Sequence, residues 1–229
     1  EQGVTTVIRG EDHISNTPRQ IHIQNALGYP ELEYAHLPLV LGADKKRLSK
    51  RHAATSLEEY KDKGYLDSAI LNTLARLGWS KGDKEVFYLN NLIEDFEITE
   101  VQKAGAIFDV SKLDYLNAQH MANLTLDQFK EKLTPFLTNI GIDIYSHTKL
   151  DTLIESMRSS ANTLSEVAIN LQCYYRDVES YNQKAIEKFI GNSTKVLSDL
   201  HTLVKRIDEW NEESLDHLLL NYRNENELS

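Results

Sequence analysis

Cysteine occurs once, at Cys173, in a chain of 229 residues. An internal disulfide is therefore impossible and a zinc cluster built on several thiolates is excluded. The lone thiol reads as a small hydrophobe packed in a helix. Low-complexity stretches are missing, and so is any internal repeat with a period of roughly 20 to 50 residues, which rules out a solenoid or an array. Nowhere does an apolar run approach the roughly 18 to 20 residues of a membrane span. The N-terminus also lacks the pattern of a secretory leader. The reading is a cytoplasmic protein with no membrane contact. Positive charge is scarce: 25 Lys and Arg face 35 Asp and Glu, a formal net charge of -10. Neutralisation of phosphates supplies nearly all non-specific affinity for nucleic acid, so this balance argues against a general nucleic-acid binder. Residues 151–229 hold 14 acidic and 8 basic side chains. Any RNA contact there has to use a local patch or exposed bases.

What the chain does have is ample apolar material, 41% of residues, enough for one large domain or two small ones. Against the acidic background stands one concentrated exception. Five of the eight residues from Lys45 to His52 are Lys or Arg. This run follows the apolar stretch Leu37-Pro38-Leu39-Val40-Leu41 and precedes Ser56 and Glu59, whose spacing is that of a helix capping box. The context is strand, basic loop and helix start. Crowding cations into a short loop costs self-repulsion that a polyphosphate would relieve; a solvated basic turn is the plain alternative.

The chain opens on a β-branched run, Val4-Thr5-Thr6-Val7-Ile8, which reads as a buried strand ended by Arg9-Gly10. A charged residue and a glycine at the end of such a strand stand where an open α/β sheet places its ligand crevice. Thr17 and Pro18 suit the N-cap and first position of a helix reaching about Leu27, closed by Gly28 with Pro30 beyond. A second apolar segment, Ala35 to Leu41, completes β-α-β, the pattern of a parallel sheet. After the loop, helical signals dominate. Ser56 opens a helix ended by Gly64, and Asp67 caps another ended by Gly78. Asp109 and Ser111 precede a further helix through Leu113, Leu116 and Met121. Capping-box spacing recurs at Thr99 and Gln102, Thr125 and Gln128, and Thr163 and Glu166. Pro135, inside a helical pattern, predicts a kink or a stop. The last third, around Ile169, Ile186, Phe189, Leu200 and Val204, has the apolar spacing of a helical bundle. The fold class expected is the second half of a Rossmann-type nucleotide fold, an α/β remnant, followed by a mostly α-helical bundle. Boundaries are expected near Ala54 and Asn123, giving parts 1–54, 55–123 and 124–229, with a frayed polar end from Asn224.

Arg47-Leu48-Ser49-Lys50-Arg51 resembles the Lys-Met-Ser-Lys-Ser signature loop of class I aminoacyl-tRNA synthetases, in the form common among glutamyl-tRNA synthetases. Upstream, Val7-Ile8-Arg9-Gly10-Glu11-Asp12-His13-Ile14-Ser15-Asn16-Thr17-Pro18 resembles the segment that precedes that loop, with Tyr34-Ala35-His36-Leu37-Pro38-Leu39 between. Thr55 to Tyr60 and Leu74-Ala75-Arg76-Leu77-Gly78-Trp79-Ser80 continue the likeness in register. The chain is identified on these motifs as a relative of the bacterial glutamyl-tRNA synthetases.

That resemblance implies ATP, with magnesium carried by the nucleotide, glutamate and a glutamate-accepting tRNA as partners, and a monomer. It implies Lys50 as the lysine on the phosphates, with Arg47, Leu48, Ser49 and Arg51 also lining the nucleotide. Cations suit that place, because charge builds on the phosphate oxygens as the α-phosphate is attacked. Arg9 takes the position of the arginine on the glutamate carboxylate, which a guanidinium can grip with two parallel bonds. A structural ion pair of Arg9 with Glu11 or Asp12 is the alternative. Asp12 falls near ATP, at the ribose or the adenine, or else caps the helix that follows. Val40 falls where a backbone group reads the adenine edge. His13, His36 and His52 lack ligand spacing with any Cys or carboxylate cluster, so no metal held by the protein is expected; His36 reads as a packed residue before the loop, with contact to ATP as the alternative. Arg158, Arg176, Lys205 and Arg206 are cations that could meet RNA, and none is singled out by spacing.

The family's other signature, His-Ile-Gly-His, belongs to the first half of the nucleotide fold and does not precede Val4. The expectation is a piece of a longer synthetase, unable by itself to make glutamyl-adenylate. Glutaminyl-tRNA synthetase is the runner-up, disfavoured by a helical second half where those enzymes carry β-barrels. A tRNA-binding module without catalysis is the other alternative.

Overall fold

The computed structural model describes residues 3–48, 56–143, 150–177, 180–191 and 193–226. The chain forms two compact units, Glu1–Tyr175 and Arg176–Ser229.

The first unit starts as the β-branched run dictates. Strand β1 (Thr6–Gly10) is followed by a 3-10 turn over Glu11–Asn16, helix α1 (Thr17–Ala26) and strand β2 (Glu33–Leu37). β1 and β2 pair in parallel, with Arg9 opposite His36. Helix α1 begins at the expected place, but Asn16 is its N-cap and makes no side-chain cap bond. The Thr17 hydroxyl instead faces the His13 carbonyl (3.1 Å). Gly28 closes the turn beyond α1 with φ +69°, the left-handed conformation that glycine adopts without a Cβ penalty.

Pro38 divides the second apolar segment in two, because it has no N–H for a ladder. Beyond it, β3 (Val40–Leu41) pairs in parallel with β4 (Ala106–Ile107), which arrives from far along the chain. Gly105 makes this approach possible: a Cβ there would sit 2.9 Å from Leu41 Cδ1 and 3.1 Å from the Leu39 oxygen.

The helical part comprises α2 (Leu57–Asp62), α3 (Asp67–Ala75), α4 (Leu89–Asp95), α5 (Val110–Ala122), α6 (Leu126–Asn139), α7 (Leu150–Arg158) and α8 (Leu164–Leu171). Several starts follow the sequence. Ser56, Thr125 and Thr163 each accept the backbone N–H three residues on, and Gln128 completes its box by accepting from Thr125 N. Each such cap contributes about 1 kcal/mol. Others do not. Asp67 is the first residue of α3, with Leu66 as N-cap. Thr99 and Gln102 open no helix: Ile98–Glu100 is a single 3-10 turn, and Gln102 N donates to the Gly78 oxygen (2.7 Å) on the way to β4. Tertiary pairing of β3 with β4 overrides local capping there. Pro135 neither stops α6 nor sits against the core; it lies on the exposed face, where the bond it removes is lost to water.

Buried residues on α6 at Phe129, Leu133 and Leu137 and on α8 at Leu164, Val167, Ala168 and Leu171 recur at helical spacing and share one core with Leu66, Ala69, Met121 and Ile154. Trp79, Phe87 and Leu92 form a smaller cluster. Arg158 is committed to structure, not to RNA: it donates to the Met121 and Leu124 carbonyls and lies over the Phe129 ring, closing the C-terminus of α5. Cys173 is exposed in a short 3-10 turn, not packed as expected, because that turn leaves the core face of α8.

The second unit consists of α9 (Gln183–Ala185), running into a π turn over Ile186–Ile190, then α10 (Thr194–Val204) and α11 (Glu212–Glu225). Asn211 caps α11 by accepting from Ser214 N (2.8 Å), and Tyr222 on α11 donates to Asp199 on α10.

Candidate nucleotide site and its relatives

Arg9 ends β1 at the carboxyl edge of the strand pair, which is the edge an α/β sheet offers to ligands. Its Nη2 donates to Thr17 Oγ1 (2.8 Å) and its Nε to His36 Nε2 (3.3 Å), and its guanidinium lies 5.6 Å from the Tyr34 ring centre. An arginine has no acceptor, so His36 Nε2 carries no proton and the imidazole is held as the Nδ1 tautomer. Neither Glu11 nor Asp12 pairs with Arg9; no carboxylate does among the described residues. The guanidinium is thus oriented by neutral partners and keeps its full charge for an anion. His36 is the packed residue expected of it, and it fixes the arginine.

Glu11 and Asp12, just after β1, tie the two strand pairs together. Glu11 Oε1 accepts from Leu39 N (3.1 Å), capturing the first free N–H beyond Pro38. Asp12 Oδ2 lies 3.3 Å from Arg47 Nη1. The side chain of Arg47 is two-thirds exposed, so this pair is worth at most about 1 kcal/mol.

The basic stretch begins as a tight reversal off β3. Leu48 N donates to the Val40 oxygen (2.8 Å), Gly42 N to the Lys46 oxygen (2.8 Å), and Lys46 N to Asp44 Oδ1 (3.0 Å). Lys45, with φ +61°, takes the left-handed place in the turn. The Val40 carbonyl is therefore occupied by Leu48. The site residues that the structure brings together are Asp12 with Arg47 and Val40 with Leu48. Ser49, Lys50, Arg51 and His52 lie outside the described residues. No group of three or more His, Cys, Asp or Glu side chains that could hold a metal occurs among the described residues.

Sequence reasoning did not pair Arg9 with Thr17, Tyr34 or His36, nor Glu11 with Leu39. The expected strands did not carry the register: the observed pairing is Thr6–Gly10 with Glu33–Leu37, and only that offset sets Arg9 beside His36.

The strand–helix–strand layer leaves much apolar surface open. Val4, Ile8, Ile23, Leu27 and Tyr29 are each more than half exposed, and Arg9 shares with Val4, Val7 and Tyr34 a cleft of about 870 Å³. Parallel strands ordinarily have both faces covered.

A parallel strand–helix–strand with a cation at its carboxyl edge, followed by a basic reversal and then helices, makes an α/β layer joined to a helical region. Residues 1–115 match the family model of class I tRNA synthetases (E and Q), catalytic domain, and residues 128–229 match an anticodon binding domain. The chain belongs to the class I tRNA synthetases (E and Q). It is 43% identical over 216 residues to glutamate–tRNA ligase 2 of Halorhodospira halophila, covering 94% of this chain and 46% of that relative. It is 41% identical over 234 residues to the glutamate–tRNA ligase of Thermodesulfovibrio yellowstonii, covering 100% of this chain and 50% of that one. A solved glutamate tRNA ligase from Elizabethkingia meningosepticum, in complex with its amino acid, superposes with a TM-score of 0.75 at 26% identity over 98% of this chain and 48% of that chain. The chain spans about half the length of the curated relatives it matches. No helix among the described residues is long and apolar enough to cross a membrane.

Proposed function

We propose that this chain is part of a cytoplasmic glutamate–tRNA ligase, which joins glutamate to the 3′ end of its tRNA in two steps. The glutamate carboxylate attacks the α-phosphate of ATP, releasing pyrophosphate and leaving glutamyl-adenylate; the terminal ribose hydroxyl of the tRNA then displaces AMP. The attacking group is already an anion, so the first step requires no protein base. What it requires is cations placed where charge develops. Lys50 is the residue proposed for the phosphates, with Arg47, Leu48, Ser49 and Arg51 alongside, and magnesium enters with the nucleotide. Asp12 is assigned to the ATP side, where it releases Arg47 as phosphate takes its place. Because the Val40 carbonyl is occupied by Leu48, the adenine edge is left to the Val40 N–H or its neighbours. Residues 55–123 are assigned to the inner side of the tRNA and 124–229 to its anticodon end.

The observation that carries the reading is Arg9, oriented by Thr17, Tyr34 and His36 at the carboxyl edge of β1 without a protein carboxylate. The open apolar surface of β1 and α1 supports a nucleotide layer completed by a further part of the protein. The names of the relatives favour glutamate over glutamine, as does the helical second half.

The test is Arg9→Lys in the complete ligase. Lysine keeps the charge and loses the two-pronged grip. The expected result is a KM for glutamate raised at least tenfold with the KM for ATP within about twofold, measured by glutamate-dependent exchange of pyrophosphate into ATP. Unchanged glutamate saturation would remove Arg9 from the role.

A further inference from the structure

Thr17 and His36 do more than hold Arg9 still: they settle which edge of its guanidinium is free. A guanidinium can grip a carboxylate with two parallel N–H bonds on either of two edges. The side edge is formed by Nε and the terminal nitrogen beside it, the end edge by the two terminal nitrogens. In Arg9 the side edge is taken, because Nε donates to His36 Nε2 (3.3 Å) and Nη2 to Thr17 Oγ1 (2.8 Å). Thr17 Oγ1 also stands 3.0 Å from His36 Nε2 and 3.1 Å from the His13 oxygen. The single lone pair of Nε2 serves Arg9, so the hydroxyl proton goes to His13 and the oxygen turns its own lone pairs to the guanidinium. Nothing among the described residues bonds to Nη1. Nη1 and the second hydrogen of Nη2 together form the end edge.

Helix α1 supports this arrangement from two places. Thr17 is its first residue. Further along, Gln24 is buried and accepts from the hydroxyl of Tyr34 (3.4 Å), whose ring lies against the Arg9 guanidinium, while the Gln24 amide donates to the Pro30 oxygen. The Tyr34 and His36 rings lie within 5° of parallel on β2. Arg9 is thus bounded by partners from β2 and α1, all of them neutral.

We infer that Thr17 and His36 are positioning residues for glutamate: by filling the side edge of Arg9 with neutral acceptors, they leave the end edge as the one two-pronged grip for the substrate carboxylate and fix its direction. Without the Thr17 hydroxyl the side edge loses one of its two acceptors, and the guanidinium is free to turn. A carboxylate offered more than one edge is held in more than one pose, which defeats the close positioning that a reacting substrate requires.

The inference rests on the role proposed for Arg9, and the experiment separates the two. In the complete ligase, Thr17→Val removes the hydroxyl at nearly constant shape and is expected to raise the KM for glutamate about three- to tenfold. Thr17→Ser keeps the hydroxyl and is expected to stay within about twofold of the unmutated ligase. His36→Leu is expected to act like Thr17→Val, and His36→Gln, whose amide oxygen stands in for Nε2, to show a smaller rise. Should His36→Leu fail to fold, the two Thr17 variants decide. In all of them the KM for ATP is expected to stay within about twofold, since neither side chain is assigned to the nucleotide. In an Arg9→Lys background the side edge no longer exists, and Thr17→Val is expected to add less than about twofold, a dependence that a merely structural residue would not show. The inference is overturned by an unchanged KM for glutamate in Thr17→Val where Arg9→Lys raises it, or by a conservative variant as impaired as its apolar counterpart. An undiminished effect on top of Arg9→Lys, or an equal rise in the KM for ATP, overturns it as well. Unchanged glutamate saturation in Arg9→Lys would instead remove Arg9 from its role, and this inference with it.

Discussion

His120 is almost fully buried on α5, between Asn72, whose Oδ1 lies 3.0 Å from its Nε2, and the edge-on ring of Tyr88. Its Nδ1 is buried without a partner, so the ring is neutral with the proton on Nε2. Desolvation pushes its pKa below the usual histidine range, against a weaker opposing pull from Asp67. In the unfolded chain the imidazole takes up a proton near pH 6.5, and in the folded one only at lower pH. The contribution of this site is therefore fully present above about pH 6.5 and is lost as the pH falls toward the depressed folded value, with a slope of at most about 1.4 kcal/mol per pH unit. Urea denaturation at pH 7.5 and pH 5.5 is expected to show the loss, and His120→Gln is expected to flatten that part of the profile. An unchanged slope in the variant would move the acid sensitivity elsewhere. At this scale the sequence was legible where chemistry is local, as at the Ser56 and Thr125 caps. It was not where the partner comes from afar: Asp12 with Arg47, Arg9 with His36, and Arg158 on the α5 carbonyls all require the fold before they can be paired.

Among the elements, α6 and α8 carry the first unit. Phe129, Leu133 and Leu137 recur every four residues and meet Leu164, Val167 and Leu171 in one core. Leu133 is fully buried, so Leu133→Ala removes its transfer energy and leaves a cavity, an expected loss of about 2 to 5 kcal/mol. An exposed change on the same helix, Glu131→Ala, is expected to stay within about 0.5 kcal/mol. Paired denaturation curves check both values, and similar losses would mean that α6 is not packed as described. The helical periodicity of this region was readable because apolar residues repeat with the turn of the helix. The two-residue strand β4 was not. Its pairing with β3 depends on Gly105 tolerating the approach of Leu41, and nothing in the local pattern around Thr99 and Gln102 signals that. Helix α11 was equally readable in principle, from Asn211 placed three residues before Ser214, and carried too little apolar periodicity to stand out.

For the whole molecule, the acidic balance stands against the function proposed for the basic stretch. A net charge of -10 would repel a polyphosphate at long range. The proposed function requires the cations of residues 45–51 to offset this locally, and ionic strength screens the rest beyond about 10 Å. The strand–helix–strand layer was legible because Pro18, Gly28 and the β-branched run mark its joints. Its open apolar surface was not, since exposure belongs to the fold and not to the pattern. The uncovered apolar residues Val4, Ile8, Ile23 and Leu27 are why catalysis is proposed for a larger protein and not for this chain alone. Glutamate-dependent exchange of labelled pyrophosphate into ATP, with tRNA present, tests this most directly when this chain alone is compared with the complete ligase. The account predicts exchange by the complete protein and none above background by the chain; exchange by the chain alone, or none by either, would contradict it.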